Sequence, residues 1–137
     1  MSVATKEMIV GQELPALRKV VTLEHMRLYT LWSVRNTHTD WEWAKKSGVP
    51  APICQGLMIH AYVSEMCTKF FGENWFKGGK LDVRFASYTL PGDVIEIKGV
   101  VREKIAAGDA FRFNCDIWVE NQAGEKTLIG SASALVA

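Results

Sequence analysis

The chain has 137 residues, 48% hydrophobic and 23% charged, with a formal net charge of +1. That length suits a single domain over 1–137 with a core of its own, and that composition is the one expected of a soluble globular chain. The balance excludes a strongly basic nucleic-acid binder, and no Lys/Arg cluster marks a membrane-surface segment.

Met1 to Val10 lacks an apolar stretch of signal-peptide length and reads as a loose arm. Pro15 to Val21 suits a short strand. Thr22 offers an N-cap, with Glu24 in the first turn, and Leu23, Met26 and Leu31 support a helix toward Trp32. Thr39 or Asp40 caps a second, short helix through Lys46, which Gly48 and Pro50 end. After Pro52 comes the most apolar helix pattern. Leu57, Ile59, Ala61, Tyr62, Val63, Met66, Cys67, Phe70 and Phe71 lie nearly all round it, so burial is expected until Gly72 stops it. This apolar stretch from Gly56 to Phe71 contains His60, Glu65 and Lys69 and is too short to span a bilayer.

The remainder alternates as strands do. Leu81, Val83 and Phe85 share one face; Ile95, Ile97, Gly99 and Val101 share another. Pro91-Gly92-Asp93, Ala107-Gly108-Asp109 and Gln122-Ala123-Gly124 mark turns. Phe111, Phe113, Cys115, Ile117 and Val119 form the inward face of a long strand, and a last strand covers Lys126 to Val136. One buried helix followed by an antiparallel meander is an α+β pattern. A sheet wrapped around one long central helix, the hotdog arrangement, uses that helix on nearly every side. So small a sheet leaves an edge exposed, and pairing with a second subunit is expected.

Three stretches carry a family resemblance. They are Tyr29 to Asp40, which contains Ser33, Arg35, Asn36 and His38, then Pro52-Ile53-Cys54-Gln55-Gly56-Leu57-Met58, then Val83-Arg84-Phe85 continuing to Pro91-Gly92-Asp93. In this order the chain resembles the MaoC-like dehydratases and (R)-specific enoyl-CoA hydratases over roughly residues 11–137. Their pattern runs Asp-x-Asn-Pro-hydrophobic-His-x-Asp, His-Gly at a helix start, Arg-Phe and Pro-Gly-Asp. The resemblance implies addition of water to 2-enoyl thioesters of CoA or acyl carrier protein, or its removal from 3-hydroxyacyl thioesters.

His38 matches the catalytic histidine, and imidazole suits proton exchange near neutral pH. A histidine between a helix and a loop is otherwise a structural or exposed residue. Gly56 matches the glycine whose N–H, unpaired at the positive end of a helix, faces a carbonyl oxygen gaining charge. Its plain alternative is punctuation between loop and helix. Ser64, two turns on, corresponds to a small polar residue supporting the family site, or bonds a carbonyl one turn back. Arg84 is a candidate for the phosphates of CoA or the carrier protein, or a solvent-facing strand arginine.

The pattern breaks where the family has its second acid/base group, an aspartate: Ser33 stands there. A hydroxyl can hold a water but is no base near pH 7, and losing such a group costs on the order of 10²–10⁴ in rate. Arg35 replaces the family asparagine and Asn36 the proline. Arg35 is expected to disfavour the His38 imidazolium, to grip a ligand anion, or to pair with Asp40 or Glu42.

Two further readings stand beside the hydratase. One is a partner subunit in a heteromer, motivated by Ser33 and Arg35. The other is a thioesterase, motivated by Glu65; but Glu65 lies one residue beyond the position that would serve, about 100° round the helix. The three cysteines lack C-x-x-C spacing, so neither disulfides nor zinc are expected, and reduced thiols point to the cytoplasm. No metal or cofactor is expected. His25 suits a solvated helix face and His60 a core position, while Trp32, Trp41 and Trp43 suit an acyl-pocket wall or a dimer seam.

Overall fold

A computed structural model describes residues 3–30 and 35–137. Five antiparallel strands form one sheet: β1 (Leu17–Val20), β2 (Lys80–Phe85), β3 (Val94–Ala107), β4 (Ala110–Glu120) and β5 (Lys126–Val136), in spatial order β1-β3-β4-β5-β2. The helices are α1 (Leu23–Tyr29), α2 (Trp41–Lys46), α3 (Gly56–Phe71) and α4 (Glu73–Gly78). Helix α3 lies against β2, β3 and β5. The expected α+β hotdog arrangement, a sheet around one long central helix, is what forms.

The core follows the strand alternation. Ile95, Ile97 and Val101 from β3, and Phe113, Cys115, Ile117 and Val119 from β4, are buried against Val63, Met66, Cys67, Phe70 and Phe71 of α3. β3 and β4 pair as one long hairpin whose register shifts between Val101 and Glu103. β5 joins β4 to β2, so β2 and β1 are the two sheet edges.

The local signals for α1 and α2 are satisfied. Thr22 Oγ1 accepts the His25 N–H at 3.1 Å. Asp40 rather than Thr39 caps α2, accepting the Glu42 and Trp43 N–H groups at 2.9 and 3.2 Å. Trp41 and Trp43 of that helix are exposed.

Three expectations are corrected. The central helix is not buried all round: Leu57 is 70% exposed, and Ala61 and Lys69 also face outward, because the sheet covers only one side of it. The N-terminal segment is not loose where it is described. Ala4 is buried and its N–H meets the Phe70 carbonyl at 2.6 Å, and the Lys104 ammonium bonds the Lys6 carbonyl. Helix α4, absent from the sequence reading, follows Gly72, whose φ of 61° turns the chain sharply. Trp75 of α4 stacks on Phe71 with centroids 5.9 Å apart and fixes that short helix to α3.

Among the described residues, no helix is long and apolar enough to cross a membrane.

Candidate active site

The segment from Ile53 to Gly56 enters α3 tied on three sides. The Ile53 N–H donates to the Thr37 carbonyl at 2.9 Å, and the Cys54 N–H donates to the Thr89 carbonyl at 2.8 Å. Gln55 is buried, and its Nε2 donates to the Met26 carbonyl of α1 at 2.7 Å. Backbone bonds and one buried amide therefore register the start of α3 against α1, the His38 turn and the loop after β2.

His38 belongs to this network. Its Nδ1 lies 2.8 Å from the Ile53 carbonyl oxygen. A carbonyl only accepts, so this contact calls for a proton on Nδ1, and in the neutral ring Nε2 then carries the lone pair. The residue that fixes the imidazole tautomer stands just ahead of Gly56 on the same segment. The His38 ring bond and the Ile53 N–H bond to the Thr37 carbonyl thus position the turn relative to the helix start. Its own N–H donates to Asn36 Oδ1 at 2.8 Å.

Gly56 opens α3. Among the described residues its N–H meets no acceptor, as the geometry of a helix first turn dictates. Gln55 supplies no side-chain cap to that turn. A Cβ at Gly56 would stand 3.1 Å from Cζ of Phe85, which is 46% exposed at the end of β2. An unpaired donor at the positive end of a sixteen-residue helix is suited to an oxygen that gains negative charge.

The other candidates are placed as follows. Ser33 lies outside the described residues. Arg35 is mostly exposed, its Nε 2.9 Å from Asp40 Oδ2 and its Nη2 3.6 Å from Glu42. The hydrogen bond from Arg35, with help from the Trp43 N–H and the cationic charge, holds the Asp40 carboxyl below its usual range. The Arg35 charge is therefore matched by Asp40 and Glu42, one of the pairings expected for it. Ser64 Oγ accepts the Trp75 Nε1–H at 3.0 Å, and the Ser64 carbonyl accepts the Thr68 hydroxyl at 2.8 Å. Ser64 is thus committed to the α3–α4 packing.

Arg84 is exposed on β2, opposite Ile129 of β5. Its neighbour Val83 packs on the core, so alternation turns Arg84 to the sheet face away from α3. There it borders a shallow cleft with Asp82, Asp116, Trp118 and Lys126. The fold does not bring Arg84 to His38 and Gly56.

Glu65 forms ion pairs with Lys19 of β1 at 2.9 Å and Lys69 at 3.4 Å. The Lys19 hydrogen bond is the main cause that lowers its carboxyl pKa. Cys54 lies close to the site in sequence, but burial pushes its thiol up to about 12, which removes it as a nucleophile near neutral pH. No cluster of three His, Cys, Asp or Glu side chains among the described residues could hold a metal ion.

Two features escaped the sequence reading. One is Phe85 over Gly56. The other is an open groove of about 350 Å³ between α1 and α3, lined by His25, Leu28, Tyr29, Met58, Ala61 and Tyr62. The aromatic and aliphatic content of both helices was visible, but periodicity within each does not say that the two lie side by side.

Comparison with known proteins agrees with this architecture. The sequence model of the MaoC-like domain family matches residues 6–112, and the chain belongs to that family. A monoamine oxidase regulatory protein from Archaeoglobus superposes with a TM-score of 0.80 at 25% identity, over 98% of this chain and 94% of the other. (R)-hydratase PhaJ1 from Pseudomonas aeruginosa gives 0.77 at 23% identity, over 96% and 83%. A chain of the ChsH1–ChsH2 complex from Mycobacterium tuberculosis gives 0.73 at 17% identity, over 93% and 95%. At such identities the last two establish the shared fold. No curated protein gave a sequence match.

Proposed function

We propose that this member of the MaoC-like family hydrates 2-enoyl thioesters, or dehydrates 3-hydroxyacyl thioesters, with His38 as its acid/base group. The thioester is carried by CoA or acyl carrier protein. The observation that carries the reading is the His38 ring bonded through Nδ1 to the Ile53 carbonyl, with Nε2 left to exchange a proton. Nε2 takes a proton from water as the water oxygen bonds C3 of the enoyl group. Charge then gathers on the thioester oxygen, where the Gly56 N–H stabilises it. The imidazolium returns the proton to C2, and the C2–C3 double bond is consumed. Acid/base groups and an oxyanion donor suffice for this chemistry, so the proposal calls for no metal or cofactor.

Ser33 is assigned the task of holding the attacking water in place of the family aspartate. The groove between α1 and α3 offers apolar surface suited to the acyl portion. Arg35, Ser64 and Arg84 are given no direct role, since each has the structural setting described above. Glu65, paired with two lysines, gives no support to a thioesterase. We assign the protein to the cytoplasm from its reduced-thiol character.

The test is enoyl-CoA hydration by the purified chain. His38→Ala is expected to lower kcat on the order of 10²–10⁴-fold; unchanged turnover in that variant would end the proposal. Ser33→Asp is expected to raise activity, because it restores a second proton-accepting group to a prepared scaffold.

A second reading is a catalytically impaired partner subunit that pairs with an intact hotdog chain. Serine at position 33 favours it, and a heteromeric complex is among the structural neighbours. An isolated chain that turns over nothing, but raises the activity of a second MaoC-like chain on mixing, would select this reading.

A further inference from the structure

The turn that carries His38 contains two of the residues, Arg35 and Asn36, at which this chain departs from the family pattern. We infer that Asn36, braced by the Arg35–Asp40 ion pair, is a positioning residue that holds the His38 ring for proton transfer. The inference rests on the acid/base role proposed for His38.

Asn36 bonds in three directions. Its Oδ1 accepts the His38 N–H at 2.8 Å, closing an Asx-turn. Its N–H donates to Thr39 Oγ1 at 3.0 Å. Its carbonyl accepts the N–H groups of Thr39 and Asp40, each at 3.1 Å. The family's proline stiffens this position through its ring, but it has neither the N–H nor the side-chain acceptor. Here hydrogen bonds supply the stiffness that the ring would have supplied.

Asp40 closes the other end. Its Oδ1 caps α2, while its Oδ2 accepts Arg35 Nε at 2.9 Å. Arg35, before the turn, is thereby clasped to Asp40, after it. The Arg35 side chain is 67% exposed, so solvent screens the ion pair and the part-buried Asn36 bonds carry most of the hold.

His38 sits between these closures, fixed twice. Asn36 holds its backbone N–H, and Ile53 holds its ring. The Thr37 carbonyl accepts the Ile53 N–H at 2.9 Å, so Ile53 engages both residues at the tip of the turn. Without the Asn36 acceptor the tip can swing away from Ile53. The ring then loses the carbonyl that fixes its tautomer, and Nε2 no longer presents its lone pair uniformly. A displacement of about 1 Å in such a group can cost about 10²-fold in rate.

The test compares Asn36→Ala with Asn36→Asp in the full chain, with folding checked by thermal unfolding. Asn36→Ala is expected to lower kcat for enoyl-CoA hydration about 10- to 100-fold with KM within about twofold. Asn36→Asp retains the acceptor oxygen and is expected to recover most of that loss. NMR of ¹⁵N-labelled histidine reads the ring without turnover. Wild type is expected to show His38 in the Nδ1–H form with a slowly exchanging ring proton; Asn36→Ala is expected to show mixed tautomers and fast exchange. If only the tautomer changes because no form of the protein hydrates an enoyl-CoA, the positioning stands and the hydratase reading falls. A folded Asn36→Ala variant that keeps the wild-type tautomer and kcat overturns the inference, even if its stability has dropped.

Discussion

At position 56 a methyl group separates stability from activity. Gly56→Ala places a Cβ 3.1 Å from Cζ of Phe85, the far end of a half-exposed side chain that can give way. Alanine also suits a helix better than glycine, by about 1 kcal/mol in a helix interior. Thermal unfolding is therefore expected to change little. The same methyl narrows the approach to the Gly56 N–H, so kcat/KM for enoyl-CoA hydration is expected to fall about 10- to 100-fold, toward the cost of losing an oxyanion donor. Loss of stability in step with activity would show that packing, not access to the amide, decides this position. The place of Gly56 at a helix start was legible in the sequence because helix-start chemistry is local, and motif order alone made His38 a candidate. The Arg35–Asp40 pair was among the readings because the two residues are close in sequence. Phe85 over Gly56 was not legible, since strand alternation names the residues that share a face but not what that face meets.

At the level of elements, contacts between neighbours decide what periodicity cannot. Among the described residues β2 joins the sheet through β5 alone, with Gly130 opposite Val83. A Cβ at Gly130 would lie 2.1 Å from the Asp82 carbonyl oxygen and 2.9 Å from Val83 Cα, both backbone atoms. Gly130→Ala is expected to cost about 2–3 kcal/mol in a denaturant titration, because neither strand can yield without breaking its register. A cost below about 0.5 kcal/mol, the scale of an ordinary surface change, would mean that β2 moves away freely. The α3–α4 contact calls for the opposite pattern. Ser64→Ala removes the acceptor for Trp75 Nε1 and is expected to cost about 1 kcal/mol with kcat nearly unchanged. A large fall in kcat at full stability would return Ser64 to the site. Helix α4 was missed in the sequence because six residues after a glycine show no apolar period. Its order comes from Trp75 packing on Phe71, a tertiary contact. β4 was readable because Phe113, Cys115, Ile117 and Val119 alternate with outward residues, whereas β3 alternates only as far as Val101, where its register against β4 shifts.

For the molecule as a whole, the exposed surface of this chain argues for assembly. Among the described residues the sheet is open, with β1 and β2 at its edges, and an edge strand is a template for pairing with another chain. Charged Lys80, Asp82 and Arg84 guard β2 on one face only. Apolar residues are exposed near its end and at the start of α3: Leu57 70%, Tyr88 57% and Phe85 46%. Leu28 and Tyr29 of α1 are exposed beside the α1–α3 groove. Exposed apolar residues that gather in one region mark association surfaces, and Phe85 lies against the proposed Gly56 donor. Association is therefore expected to cover the margins of the acyl pocket as well as to shield an edge. Sedimentation velocity at micromolar concentration is expected to give twice the 15.3 kDa chain mass, with hydratase activity falling on dilution into the monomer range. A stable 15.3 kDa species that turns over enoyl-CoA would separate catalysis from assembly. A 15.3 kDa species without activity, which gains mass only when a second MaoC-like chain is added, would identify the heteromer as the working form.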